Sequence, residues 1–321
     1  MKRFVLTLTA VAALAAPGLG ARAQTALETV AHGPAEPVLI EAAAYDGEGR
    51  LLVSSVHLGG VHRLGADGRM DRLTPDDAGR GVFGLVADPE RGWLWAASTD
   101  SVFDSTEGGG AALLKLDLAT GRLLGRYEPG DGDHAFGDLA LGPDGSVYVS
   151  DSVGLAVFRL RPGGTALETV ATFTGRASPQ GLAVWPEGGW LIVADYPSGL
   201  HRITLATGER TPVAGPEGVE LRGLDGLALA PDGRVIAIQN GTATPRVLAL
   251  TMAPDWTSVL AVERLVEGAP LSEPTTGFVH DGALIFVSRS QWTDFGPEGQ
   301  PRTPTPEPAV ISRLRLEEPR P

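Results

Sequence analysis

GLALAPDGRVIAIQ, residues 226–239, joins two apolar strands through a Pro-Asp-Gly turn. Five other stretches repeat the phrase: AAAYDGEGRLLVSS from Ala42, GLVADPERGWLWAAS from Gly84, DLALGPDGSVYVSD from Asp138, GLAVWPEGGWLIVAD from Gly181 and GFVHDGALIFVS from Gly277. Their starts are 42, 54, 43, 45 and 51 residues apart. Gly and Asp at the tight turns supply the backbone freedom of a hairpin. Short strands repeated at this period mark the blades of a β-propeller. Six units predict an all-β, six-bladed propeller of four-stranded antiparallel blades.

The strands after each phrase complete the blades. A third strand follows as GGVHRLGADGR at Gly59, ALLKLDLATGR at Ala112, LAVFRLRPGG at Leu155, LHRITLATGE at Leu200, PRVLALTM at Pro245 and AVISRLRL at Ala309. Several alternate apolar and polar residues, as a strand with one buried face does. A fourth, outer strand comes next, as in RLLGRYE at Arg122 and RTPVAG at Arg210. The sixth unit ends at Leu316 with only EEPRP after it, so it lacks an outer strand. The heptapeptide TALETVA at Thr25 recurs at Thr165, where it reads as the outer strand of blade 3. The N-terminal copy is therefore expected to be the outer strand of blade 6, closing a ring that would otherwise leave unpaired edges.

Met1 to Ala23 reads as a secretory signal peptide: basic Lys2 and Arg3, the apolar stretch Phe4–Ala16, and Ala21-Arg22-Ala23 as cleavage site. Residues 24–321 then form one propeller domain, since a propeller grows by repetition. The expected location is exported, periplasmic or secreted. The chain has no cysteine, so neither a disulfide nor a lipid-anchored Cys contributes. No later run is apolar enough to insert in a membrane. Cleavage removes three basic residues and leaves 23 basic against 39 acidic, a balance of −16. Such a surface repels nucleic acid and anionic lipid. It keeps an exported protein soluble.

Strand order sorts the connections by face. The second-to-third and fourth-to-first connections share one end, and the long ones all lie there: 98–110, 128–137, 215–225, 267–276 and 289–308. Long loops over one end of a rigid scaffold are where binding residues sit. Alignment of the repeats puts Glu41, Phe83, Gly137, Gln180, Asp225 and Thr276 just before the six inner strands, at that mouth of the central tunnel. Converging oxygens from different blades suit a hard cation such as Ca²⁺. The same groups also suit a water-filled tunnel, each bonded to nearby backbone. His57 and His134 fall on loops of this end and are candidate general bases. Asp151 and Asp195 end second strands and read as structural loop anchors. There is no nucleophile-elbow Gly-x-Ser-x-Gly, phosphate-binding glycine loop, zinc spacing or HExxH.

The blade phrase, the count of six and the ring positions resemble the senescence marker protein / gluconolactonase / luciferin-regenerating enzyme family, over most of residues 25–316. The resemblance implies a divalent metal, calcium by its ligand type, at the tunnel mouth. Glu41, Gln180 in PQGLAVWPEG and Asp225 in LDGLALAPDG stand at the three ligand positions, with Gln180 where the family has Asn. A further family Asn, on the substrate side, falls at Gly137, and the neighbouring Asp138 is the residue placed to compensate. SRSQWTDFGPEGQ from Ser288 is similar to a stretch of exported members, which makes Gln291 and Trp292 candidate entrance residues. Two functions stay open. One is a metal-dependent hydrolase of a lactone or related ester, with Asp225 accepting a proton from water. The other is a non-catalytic exported propeller binding a small molecule, peptide or protein partner on the same face.

Overall fold

The computed structural model describes residues 27–75, 80–103 and 110–317. The expected signal peptide, with Thr25 and Ala26, lies outside them, as do Asp104 and Glu107 of the 98–110 loop. The described residues form six four-stranded antiparallel sheets, one per repeat, arranged as the blades of a propeller. The inner strands are Ile40–Tyr45, Gly81–Asp88, Phe136–Leu141, Pro179–Val184, Leu224–Leu229 and Gly277–His280. Each begins a blade, and the blades are numbered 1 to 6 in that order. Among the described residues no helix is long and apolar enough to cross a membrane.

Closure is by the N-terminal strand. Leu27–His32 pairs antiparallel with Val310–Arg315 as the outer strand of blade 6, with Leu27 opposite Leu314 and Ala31 opposite Ile311. The second copy of the heptapeptide does the same work locally, its last four residues starting the outer strand of blade 3, Glu168–Thr172.

Six of the seven apolar clusters each span two successive blades. Ala42, Leu52 and Val61 of blade 1 pack with Leu94, Ala96 and Leu114 of blade 2. Ile285, Val287 and Ile311 of blade 6 pack with Ile40, Ala43 and Val53 of blade 1, so the closing interface has a core like the others. A blade has two apolar faces and neither is covered by its own strands, so stability comes from stacking around the ring.

Candidate functional site

The ring residues owe their position to a repeated backbone irregularity. In five inner strands the pairing with the second strand slips, between Ile40 and Ala43, Val82 and Leu85, Phe136 and Leu139, Pro179 and Leu182, and Leu224 and Leu227. Each slip is a β-bulge, which leaves residues out of the ladder and re-aims a side chain. The bulged pairs are Glu41-Ala42, Phe83-Gly84, Gly137-Asp138, Gln180-Gly181 and Asp225-Gly226. These ring residues thus lie within the inner strands, which begin two or three residues earlier than the sequence pattern places them. In blade 6, Thr276 does precede its strand.

In blades 2, 4 and 5 the glycine after the ring residue is forced by the next blade. A Cβ on Gly181 would stand 2.2 Å from the Asp225 carbonyl oxygen, and one on Gly84 2.5 Å from that of Gly137. Neither contact is possible, so only glycine lets successive inner strands approach at the mouth. Blade 3 breaks this pattern with Asp138. Its Oδ2 accepts a hydrogen bond from Thr276 Oγ1 at 3.2 Å, joining blades that face each other across the ring. Asp138 therefore crosses the tunnel. It lines both a neck of about 30 Å³ shared with Glu41, Gln180 and Asp225, and a chamber of about 490 Å³ opening toward the opposite end.

Above the neck the mouth widens into a cavity of about 390 Å³. Glu41, Phe83, Gly137, Gln180 and Asp225 all line it, so the structure brings these predicted residues together. Trp292 also lines it, and its Nε1–H donates to Glu41 Oε2 at 2.7 Å. Asp225 Oδ2 accepts from Asn240 Nδ2 at 2.5 Å, and Asn240 Oδ1 accepts from Tyr196 OH at 2.9 Å. Gln180 donates its amide to Ser178 Oγ at 2.9 Å, while its Oε1 lies 3.5 Å from where a Cβ on residue 137 would stand. That oxygen lies beside the space Gly137 leaves.

Enclosure makes these carboxyls reluctant to ionise. Burial, then the charge of Asp225, pushes Glu41 well above the usual range, with the Trp292 bond opposing. Burial raises Asp138 to about 7, and Asp225 to about 6 against the pull of Asn240. Desolvation disfavours each anion and neighbouring anions add to it. No lysine, arginine or histidine lines the neck or the upper cavity among the described residues.

The donor set fits a hard cation: two carboxylates, a carboxamide oxygen and room in the neck for one ion or water. No three His, Asp or Glu side chains form a ready ligand cluster among the described residues, so a third protein oxygen would come from a neutral group of the neck such as the Gln180 amide or the Thr276 hydroxyl.

Other candidates lie elsewhere. Gln291 is fully buried and does not line the entrance. Its Oε1 accepts from the backbone N–H of Val38 and Leu39 at 3.0 and 2.9 Å, and its amide donates to the Glu36 and Glu307 carbonyls. It ties the 289–308 loop to the strand entering blade 1, a structural task. His57 sits beside Phe295, its Nδ1 2.7 Å from the Phe103 carbonyl. His134 Nδ1 is 2.5 Å from Asp151 Oδ2. Neither histidine lines the upper cavity or the neck. Asp151 and Asp195 also accept from backbone N–H groups, of Ala135 and Ser178, as loop anchors do. Ser198, His201 and Asp195 do meet, with Ser198 Oγ 2.8 Å from His201 Nε2. They are not a nucleophilic triad, because His201 Nδ1 faces Arg210 and not a carboxylate, and the imidazole is buried.

Ser152, Tyr196 and Asn240 line the upper cavity without having been singled out in the sequence. They share one position: each directly follows a second strand, after Asp151, Asp195 and Gln239. The repeat alignment that yields the first ring, moved to that position, yields this second one.

No family model matches the chain, and no curated protein matches it. Solved structures do. A gluconolactonase from Xanthomonas campestris superposes with a TM-score of 0.59 at 19% identity, over 90% of this chain and 89% of that one. A luciferin-regenerating enzyme gives 0.61 at 12%, over 91% and 95%. A PQQ-bound aldose sugar dehydrogenase from Streptomyces coelicolor also gives 0.61, at 15%, over 91% and 99%. The chain thus has the six-bladed propeller fold of the gluconolactonase and luciferin-regenerating enzyme structures, a fold it shares with a redox enzyme.

Proposed function

We propose that this chain is an exported, metal-dependent hydrolase that opens lactones or related esters at the loop-rich mouth of its tunnel. One observation carries the reading. Glu41, Asp225 and the Gln180 oxygen converge on a neck sized for one ion, with no cationic side chain among the described residues to neutralise them. Enclosed carboxylates without a counter-charge are costly, and a bound cation removes that cost.

Glu41, Gln180 and Asp225 would hold a divalent ion, calcium by the all-oxygen donor set. When bound it polarises the scissile carbonyl and acidifies water. Trp292 fixes one oxygen of Glu41, and Asn240 fixes one oxygen of Asp225, so both carboxylates are oriented before substrate arrives. Asp225, at the ring of the mouth, is the carboxylate placed to accept the proton of the attacking water. Water adds across the C–O bond, and the product is the hydroxy acid.

Calorimetry of the mature protein tests the site: calcium is expected to bind, and Glu41→Ala to abolish binding. Hydrolysis tests the chemistry. Asp225→Asn is expected to lower turnover of a responsive lactone by about 10²-fold or more. Sugar, aryl and alkyl lactones would be offered with calcium, magnesium, manganese and zinc. Silence throughout would leave the non-catalytic recognition platform as the reading.

A further inference from the structure

The mouth of the tunnel is two-sided. Phe83 occupies the ring position of blade 2, and its ring stands 6.2 Å from Trp292. Phe103 meets the same indole edge-on at 5.0 Å. Phe295, buried behind them with Leu39 and Val56, holds this wall from beneath. Phe136 and Ala135 extend the apolar lining into blade 3. Across the cavity, Ser152, Ser178, Tyr196 and Asn240 present hydroxyl and amide groups.

The polar side is already engaged with itself. Ser178 Oγ accepts from Gln180, and Tyr196 OH donates to Asn240, whose amide donates to Asp225 and to the Pro274 carbonyl. A polyhydroxylated ring would be left with the remaining capacity of these groups, the Ser178 O–H and the Tyr196 and Ser152 lone pairs, unless it displaced these bonds. An apolar ring displaces only water from the Phe83 and Trp292 faces. Anionic substrates meet three carboxyls and no cationic side chain among the described residues lining the mouth.

We propose that the ligand of this site is a neutral lactone carrying a compact aryl or alkyl ring, seated on Phe83 and Trp292, and not a sugar lactone or a phosphorylated or acidic one. This rests on the hydrolase reading for the word lactone, and on the cavity walls alone for the word aryl. Trp292 then has two roles: its N–H orients Glu41, and its face holds the substrate ring. Phe83 has only the second.

Two ligands with the same six-membered lactone ring separate the classes: 3,4-dihydrocoumarin and δ-gluconolactone. With calcium present, kcat/KM is expected to favour dihydrocoumarin by about 10-fold or more, the worth of a ring in an apolar pocket. Phe83→Ala should erase most of that preference by lowering the aryl substrate far more than the sugar one. A preference for gluconolactone, or equal losses on both in Phe83→Ala, overturns the proposal. Calorimetry with 1-tetralone, a neutral ketone of the same bicyclic shape that cannot be hydrolysed, gives a second readout. Binding to the wild-type chain, weakened about 10-fold or more by Phe83→Ala, upholds the aryl site even if no lactone turns over, an outcome that would defeat the hydrolase reading alone. No tetralone binding overturns the aryl site.

Discussion

Two residues at the mouth carry more information together than apart. Gln180 is one methylene longer than the Asn of the family pattern, and Gly137 lacks a side chain where that pattern has one. In the folded chain they are neighbours: Gln180 Oε1 lies beside Gly137, where a bare Cβ would just touch it at 3.5 Å and Ser150 Oγ at 3.3 Å, so atoms beyond that Cβ would contest the space. The longer amide reaches inward because nothing stands at 137. A double-mutant cycle checks this. Gly137→Asn alone should weaken calcium binding by about 10-fold or more, since one displaced ligand oxygen costs an interaction of that order. Adding Gln180→Asn should restore much of the affinity; additive losses would show the two positions to be independent. Glu41, Gln180 and Asp225 were legible because the repeat fixes their position and their side chains announce oxygen chemistry. Gln291 misled because the likeness of its stretch to exported members points to the entrance, and its four backbone partners leave no trace in the sequence. Asn240 and Tyr196 went unread because they lie after second strands, while the inner strands drew the alignment.

Strands and blades were legible almost entirely, because a period of 42 to 54 residues is imposed by geometry that every blade shares. The bulges were not, since a bulge is a property of pairing between strands and leaves only a glycine in the sequence. One recurring feature of the third strands also shows its meaning only in three dimensions. Arg63, Lys115, Arg159, Arg202 and Arg313 each stand opposite the corresponding residue of their second strand, Leu52, Trp95, Tyr148, Ile192 and Ile285. Blade 5 has Ala249 there. Arg63 donates to the carbonyl of Ala119, and Arg202 to that of Asp255 at 2.7 Å, both in the last turn of the next blade. Lys115 lies 3.1 Å from the centroid of the Trp93 ring. Arg63 and Arg202 thus tie a blade to its successor, while the contact of Lys115 stays within blade 2. Arg202→Ala should cost about 1 kcal/mol in chemical denaturation, an exposed charge-assisted bond plus a weak contact with Trp190. The closing strand matters more. Deleting residues 25–31 uncovers the edge of Val310–Arg315 and the packing of Leu27 and Ala31. The melting temperature should fall by about 5 °C or more, several kcal/mol in a domain of this size. Deleting 318–321 should leave it nearly unchanged, and equal effects would argue against N-terminal closure.

At the scale of the whole molecule, six blades pack through apolar interfaces yet aim Glu41, Asp138 and Asp225 at one axis. The ring that buries its cores so completely thereby concentrates negative charge where no cationic side chain lines the neck among the described residues. Without a bound cation this must appear as pH-dependent stability. All three groups have folded pKa values raised above their unfolded ones, Asp138 to about 7 and Asp225 to about 6. The folded chain thus holds protons more tightly than the unfolded chain. Its advantage is full below the unfolded carboxylate range near pH 4 and is lost as pH rises through 6 and 7. Carboxylates held by arginine, such as Asp46 beside Arg50, work the other way, but their folded pKa values lie below the ordinary range, so they are fully ionised above pH 5 and do not alter this window. Buried His62 and His201, whose pKa values burial lowers, oppose this below about pH 6.5, but three raised carboxyls outweigh two histidines, so thermal unfolding in chelator should show a lower melting temperature at pH 8 than at pH 5.5. Millimolar calcium should raise it at pH 8 and do little at pH 5.5, where protons already occupy the axis. Asp225→Asn should flatten the pH profile and the calcium response together, because it removes one charge and one ligand oxygen. A chelator profile that is flat in the wild-type chain, or a calcium shift of equal size at both pH values, would mean that the three carboxylates are not coupled through a shared cation.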